Sequence, residues 1–230
     1  PSLSKPFIRA RPRGQLDLGL NVTIECRGPE NGLNYSLHLP KNLIASRKTK
    51  PDGNKAKFFL SVVRQEDAGS YVCQYHHKGN PFVLSEPSDP MDLLLRDPSL
   101  LQPSIKVTPR GQLAPGSNVT IECQGPQNGL NFSLHKSGSL TASQKAEPDR
   151  NTTKFSFFRI TSENTGKYTC QYSQSTNSFI WSRPSNPVKL VVTAISNQAG
   201  STTVIWASSA VGLLVLLLLL VAFLLYRRRA

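Results

Sequence analysis

The sequence predicts an all-β pair of small tandem sandwiches followed by one transmembrane helix, and three observations predict it. First, the two halves of the chain are one unit written twice at a constant offset of 97 residues. Cys26 and Cys73, 47 positions apart, return as Cys123 and Cys170, and 21 of the 27 positions from Pro12 to His38 are identical at the shifted place. A repeat of about 100 residues is domain-sized, well above the roughly 20 to 50 of a solenoid unit. Second, the apolar runs before Val204 are short and alternating, with dense turn residues between them, and none holds a helical period. Third, Val204 to Tyr226 is a run of 23 residues without a charge, followed by Arg227-Arg228-Arg229.

Within the first copy, strands are expected over Val22 to Cys26, Asn34 to His38, Ala56 to Val63 and Ser70 to Tyr75. Alternation at period two means that one face is buried and the other wet. Two opposed sheets put both cysteines of such a unit in facing strands across one core. Asp67-Ala68-Gly69-Ser70-Tyr71-Val72-Cys73 carries a tyrosine two residues ahead of the second cysteine, and Asn164-Thr165-Gly166-Lys167-Tyr168-Thr169-Cys170 repeats it. That spacing marks the tyrosine corner of immunoglobulin-like sandwiches, in which the phenol bonds backbone just upstream. The cysteine spacing leaves no room for the two extra strands of a variable-type domain, so the short constant-like (C2-type) arrangement is expected. No tryptophan follows Cys26 or Cys123 in the third strand position; Leu37 and Leu134 are the expected fillers against the disulfide.

At about 1.5 Å per helical residue, Val204 to Tyr226 spans the roughly 30 Å hydrocarbon core with a little tilt. Trp206 and Tyr226 lie near its ends, and the arginine triplet marks the cytoplasmic side. The chain therefore divides into domain 1 (1–97), domain 2 (98–193), a stalk (194–203), the membrane helix (204–226) and a short cytoplasmic tail (227–230). The expected address is the plasma membrane, single-pass type I with the ectodomain outside, and Pro1 is expected at the mature end. In that compartment the four cysteines read as two disulfides, Cys26 with Cys73 and Cys123 with Cys170. No C-x-x-C is present, so no zinc site is expected. Five Asn-x-Ser/Thr sites, Asn21, Asn34, Asn118, Asn131 and Asn151, predict glycosylation, and four of them form two equivalent pairs.

Net charge is +13, divided as +4 over 1–97, +6 over 98–193 and +3 at the membrane edge. Charge spread this way, on an extracellular chain, argues against nucleic acid as a partner and leaves acidic glycans or acidic protein surfaces. The linker Arg96-Asp97-Pro98-Ser99-Leu100-Leu101-Gln102-Pro103 has two prolines to limit bending and two leucines to bury between domains, so a bent, semi-rigid pair is expected.

No set of residues suggests catalysis. His38 and His135 occupy the same strand position in both copies, which fits a structural or surface role, and His76 and His77 are adjacent rather than convergent. No enzyme activity, cofactor or metal is expected. Binding is the better class, and two stretches suggest a surface. The segment from Tyr75 through His76-His77-Lys78-Gly79-Asn80-Pro81-Phe82 offers aromatic and cationic groups of the kind interfaces favour, although an ordinary hairpin loop reads the same way. Arg47-Lys48-Thr49-Lys50, followed by Lys55 and Lys57, is a basic patch or a solvated lysine-rich loop. The expected ligand residues are Arg47, Lys48, Lys50, Tyr75, His76, His77 and Phe82. Opposite Asn54 the second copy has the sequon at Asn151, where a glycan would cover what stays bare in domain 1, so domain 1 is expected to carry the ligand face.

Leu84-Ser85-Glu86-Pro87-Ser88-Asp89-Pro90 and Trp181-Ser182-Arg183-Pro184-Ser185-Asn186-Pro187 resemble the Trp-Ser-x-Pro-Ser-Asp-Pro segment of leukocyte-receptor immunoglobulin domains. Asn-Val-Thr-Ile-x-Cys before the first cysteine and Cys-Gln-Tyr at the second are similar too, and the resemblance covers both domains. The group includes leukocyte immunoglobulin-like receptors, the T-cell-interacting activating receptor of myeloid cells, platelet glycoprotein VI and the osteoclast-associated receptor. The resemblance implies a receptor for class I histocompatibility molecules, immunoglobulins or collagens; fold likeness does not choose among them. Activating members carry a membrane arginine that recruits a signalling adaptor, and inhibitory members carry tyrosine motifs in a long tail; neither feature is visible before Ala230. Three readings follow: a chain continuing past Ala230, a ligand-sequestering decoy or adhesion form, or lateral pairing through Ala207, Ser208, Ala210 and Gly212. The rival from another class is a matrix or glycosaminoglycan adhesion protein that uses distributed positive charge.

Overall fold

The computed structural model describes residues 3–40, 42–193 and 202–228, the side chains of 202–213 and 216 excepted. Along the first copy run β1 (Phe7–Arg11), β2 (Leu16–Asp17), β3 (Val22–Arg27), β4 (Asn34–Leu39), β5 (Asn42–Lys48), β6 (Lys55–Leu60), β7 (Gly69–His76), β8 (Met91–Leu93) and β9 (Leu95–Arg96). The second copy repeats them as β10 (Ser104–Thr108), β11 (Gln112–Leu113), β12 (Val119–Gln124), β13 (Asn131–Lys136), β14 (Ser139–Lys145), β15 (Thr152–Phe157), β16 (Gly166–Gln174), β17 (Asn177–Trp181) and β18 (Val188–Val192). A helix, α1, follows over Thr202–Arg227.

Each copy is a two-sheet sandwich. Domain 1 opposes the sheet β1-β3-β6 to the sheet β5-β4-β7-β8, and domain 2 opposes β10-β12-β15 to a sheet built on β14-β13-β16. The disulfides Cys26–Cys73 and Cys123–Cys170 cross between sheets, with Cα atoms 6.2 and 6.1 Å apart. Leu37 lies opposite Cys73 and Leu134 opposite Cys170, both fully buried, so a leucine does fill the place that tryptophan takes elsewhere. Both tyrosine corners form: the Tyr71 hydroxyl donates to the Asp67 carbonyl at 2.8 Å and the Tyr168 hydroxyl to the Asn164 carbonyl at 2.9 Å.

Strand count departs from the expectation in one respect. One of the two extra strands is present, because β5 and β14 pair with β4 and β13 at the rim of the sheet that holds the second cysteine. The connection dictates this. Only Ser137 and Gly138, both at positive φ (50° and 86°), join β13 to β14, a two-residue turn that can only return the chain antiparallel to its neighbour. The strand expected over Ala56 to Val63 is also shorter. It stops at Leu60, since Val62 turns left-handed at φ 53° and gives its amide to the Asn21 side-chain oxygen at 3.0 Å. Arg159 and Asn118 repeat this at 3.1 Å.

The serines of the two Ser-x-Pro-Ser segments tie the approach to the last strand, ahead of the regular pairing of β8 and β18. Ser85 and Ser88 hydroxyls accept the Tyr75 and Cys73 amides at 3.0 Å each, and Ser182 and Ser185 do the same for Tyr172 and Cys170 at 3.1 and 2.9 Å. A side-chain oxygen thus satisfies buried backbone donors where proline interrupts the ladder.

The two sandwiches are joined by more than the linker. β9 pairs in parallel with β2 of its own domain and with β17 of domain 2. Ile180, on β17, is buried within the core of domain 1, while Leu100 packs against both cores. Leu101, also expected to bury, is 69% exposed. Asp97 is buried at the hinge of this junction, accepting hydrogen bonds from Gln65 Nε2 (2.6 Å) and from the Ser99 amide (2.8 Å) and hydroxyl (2.6 Å).

α1 forms a separate unit. Among the described residues no helix is long and apolar enough to cross a membrane, and the side chains described within α1 begin at Leu214. Those side chains are apolar on every side and uncovered: Leu217 to Val221 and Phe223 to Leu225 are each more than half exposed. Residues 194–201 of the expected stalk and the side chains of Trp206, Ala207, Ser208, Ala210 and Gly212 lie outside the described residues, while the last two stalk residues, Thr202 and Thr203, begin α1.

Candidate ligand-binding face

The structure brings together two stretches that are far apart in sequence. Asn34 on β4 lies opposite Lys48 on β5 and His76 on β7, so the middle strand carries the basic strand on one side and the loop of histidines on the other. Between them is a shallow concavity of about 350 Å³ at this end of the sheet, lined by Arg47, which lies opposite buried Tyr35, and by Lys48, His76, Lys78 and Pro81. The loop is shaped by an isolated bridge between His77 and Asn80, with the His76 ring Nδ1 2.9 Å from the His77 carbonyl oxygen and His77 Nε2 3.7 Å from Glu30. Phe82 stands beyond, 95% exposed.

Four of the residues singled out in the sequence fall elsewhere. Tyr75 is 1% exposed, its ring tilted against Tyr35 in the core, because β7 alternates and Tyr71, Cys73 and Tyr75 share the inward parity. This corrects its assignment to the ligand set, and the parity of the tyrosine corner was enough to show it. Lys50 is exposed but does not line the concavity. Lys55 and Lys57 leave the patch altogether, since the turn over residues 51–54 carries the chain to β6 in the opposite sheet.

Domain 2 does not reproduce the site. Its equivalents of Arg47, His76 and Lys78 are Gln144, Ser173 and Ser175, and only Lys48 keeps a cationic counterpart, Lys145, so the cationic lining is reduced to one side chain. The segment equivalent to the free tip Asn80–Leu84 is β17, which is committed to the interdomain junction.

Burial holds His38 and His135 below the usual histidine range, and each Nε2 sits against a neighbouring serine hydroxyl, Ser36 at 2.9 Å and Ser133 at 3.0 Å. Among the described residues no group of three or more histidine, cysteine or acidic side chains could hold a metal ion. What the arrangement offers chemically is recognition: cations, imidazoles and an exposed ring on a rigid sheet.

The immunoglobulin-domain family matches residues 5–94 and 102–192. The osteoclast-associated immunoglobulin-like receptor of Mus musculus is 30% identical over 188 residues, covering 81% of this chain and 70% of that protein. The chain belongs to the leukocyte-receptor type of the immunoglobulin superfamily. Platelet glycoprotein VI of Mus musculus is 32% identical over 196 residues, 84% of this chain and 58% of that protein. Immunoglobulin superfamily member 1 of Homo sapiens is 30% identical over 189 residues, 82% of this chain, and the chain spans only 14% of its length. Each of these matches covers about four-fifths of the chain. Its paired Ser-x-Pro-Ser segments and leucine-filled cores are the residues that carried the same reading.

Proposed function

We propose that this chain is a single-pass type I receptor of the plasma membrane that binds an extracellular protein through the β5-β4-β7 end of domain 1, in immune recognition or regulation. The observation that carries the reading is the concavity itself, where Arg47 and Lys48 meet His76, Lys78 and Pro81. A rigid sheet presenting amphipathic and cationic groups next to an exposed aromatic tip suits a protein interface. The equivalent face of domain 2 keeps only Lys145 of the cations, which supports placing the site in domain 1.

The membrane span is proposed over 204–226. The full segment has no charged side chain, three arginines follow it, and a helix apolar on every described side needs lipid or protein around it. The domain limits 1–97 and 98–193 go with this topology. Glycans are proposed at Asn21, Asn34, Asn118, Asn131 and Asn151, of which Asn34 stands within the concavity.

The partner classes are collagen, class I histocompatibility molecules and immunoglobulins. Full-length chain displayed on cells is tested against each, immobilised, at physiological salt. The reading expects saturable binding to one of the three that survives a rise in salt. Binding to none of them, with retention on heparin alone, would favour the adhesion alternative.

A further inference from the structure

The opposite sheet of domain 1 carries a second surface. On the outer face of β1-β3-β6 the register sets three cross-strand rows: Phe7, Arg27, Lys55; Arg9, Glu25, Lys57; and Arg11, Thr23, Phe59. Five of these nine side chains are cations, and Glu25 is the one acid. Glu25 is 5% exposed and tied to Arg9 at 2.6 Å, so it neutralises one charge and leaves a net +4. Strands about 4.8 Å apart and alternate residues about 6.7 Å apart confine this charge to a flat patch roughly 10 by 14 Å. Arg11, Arg27, Lys55 and Lys57 are all exposed.

Domain 2 is an internal control on the same lattice. Its rows are Ser104, Gln124, Thr152; Lys106, Glu122, Lys154; and Thr108, Thr120, Ser156. Glu122 lies 3.5 Å from both Lys106 and Lys154, and the net charge of the nine is +1. The central row is kept. Every other difference replaces a cation or an aromatic ring of domain 1 by a neutral polar group, so the charge is not required by the sheet.

We propose that this face binds a sulfated linear polysaccharide, independently of the protein-binding face on the other sheet. Charge complementarity selects a polyanion, and the flat spread of the charge over three strands selects an extended one. The guanidinium forks of Arg11 and Arg27 match the planar edge of a sulfate oxygen pair better than an ammonium does. Phe7 and Phe59 occupy diagonal corners, 59% and 62% exposed, where a ring face can pack on the apolar side of a sugar. A shallow concavity of about 480 Å³ between Phe7 and Arg27, bounded by Ser4 and Pro29, gives the chain a seat at one end.

The test grafts the second domain's face onto the first. Full-length glycosylated chain in detergent micelles is titrated with a size-defined heparin oligosaccharide, beside the variant R11T/R27Q/K55T. Each substituted residue is the one that domain 2 already carries at the equivalent position, and a melting curve checks folding. The variant is expected to bind heparin at least tenfold more weakly and to lose about two to three units from the slope of log Kd against log salt. R47E/K48E, on the other sheet, is expected to bind heparin within about twofold of the parent, allowing for a small non-local effect of net charge. Equal binding by the parent and R11T/R27Q/K55T would overturn the proposal. So would equal losses in both variants, which would mean that binding follows net charge alone, or binding of the parent to phosphatidylserine vesicles but not to heparin. Protein-ligand binding lost in R47E/K48E while heparin binding is kept separates failure of one face from failure of the other.

Discussion

Ile180 of the second domain pairs in parallel with Leu95 and is buried in the core of the first. One apolar side chain thus belongs by sequence to one sandwich and by packing to the other. The consequence is mechanical: force or ligand applied to domain 1 reaches domain 2 through a continuous sheet rather than a loose tether.

Ile180→Ala is therefore expected to cost about 2–4 kcal/mol, the range for emptying a buried aliphatic site. Its effect should not stay local. In calorimetry the parent is expected to unfold in one transition and the variant in two, with domain 1 melting first. Two transitions in the parent would show that the junction does not couple the domains.

Asp97 gives the junction a pH dependence. Burial works against its charge, but the Ser99 hydroxyl, the Ser99 amide and Gln65 outweigh it, and its carboxyl is held below the usual range. A depressed folded value means that the contribution is present above about pH 3.9, the unfolded value, and is lost as pH falls through the folded one. Asp97→Asn is expected to destabilise the chain by about 1–3 kcal/mol at neutral pH. In urea unfolding across pH 7 to 2 the difference from the parent should vanish at the acid end. His38 and His135, kept neutral by burial, add a separate loss that begins as pH falls below about 6.5.

The two tyrosine corners are equivalent by geometry, and the energies should match. Tyr71→Phe and Tyr168→Phe each remove one hydrogen bond to backbone from a buried ring and leave the packing in place. Each is expected to cost about 0.5–1.5 kcal/mol, read as a shift in denaturant midpoint. A cost confined to one copy would contradict the equivalence.

Asn34 places a proposed glycan inside the proposed ligand site, between Lys48 and His76. Asn34→Gln is expected to raise binding of the protein ligand in cells that glycosylate the parent there, and to leave it unchanged in enzymatically deglycosylated chain. Weaker binding in both would show that the Asn34 side chain itself contacts the ligand.

Much of the fold was legible because period-two alternation and the paired cysteines are local signals. Leu37 behind the disulfide, the tyrosine corners and the domain repeat could all be read from spacing. The position of β5 is legible only through the two-residue connection that separates it from β4. Tyr75 had a usable signal, since it shares parity with Tyr71 and Cys73. The basic run from Arg47 to Lys57 misled because proximity in sequence ends at the turn over 51–54: its two halves face opposite ways, and each finds partners from distant strands. Ile180 carried no local signal of its partner. Its alternation says that it is buried, and only the tertiary arrangement says in which domain.

The most direct test of the account compares matched changes on the two domains. Cells displaying the full chain, as parent, R47E/K48E or Q144E/K145E, are titrated with collagen, a class I histocompatibility molecule and immunoglobulin G. The account predicts saturable binding of one of these by the parent, a loss of tenfold or more in R47E/K48E, and binding within about twofold in Q144E/K145E, whose substitutions lie at the equivalent strand positions of domain 2. Loss in Q144E/K145E with R47E/K48E unaffected would contradict it and move the ligand face to the second domain.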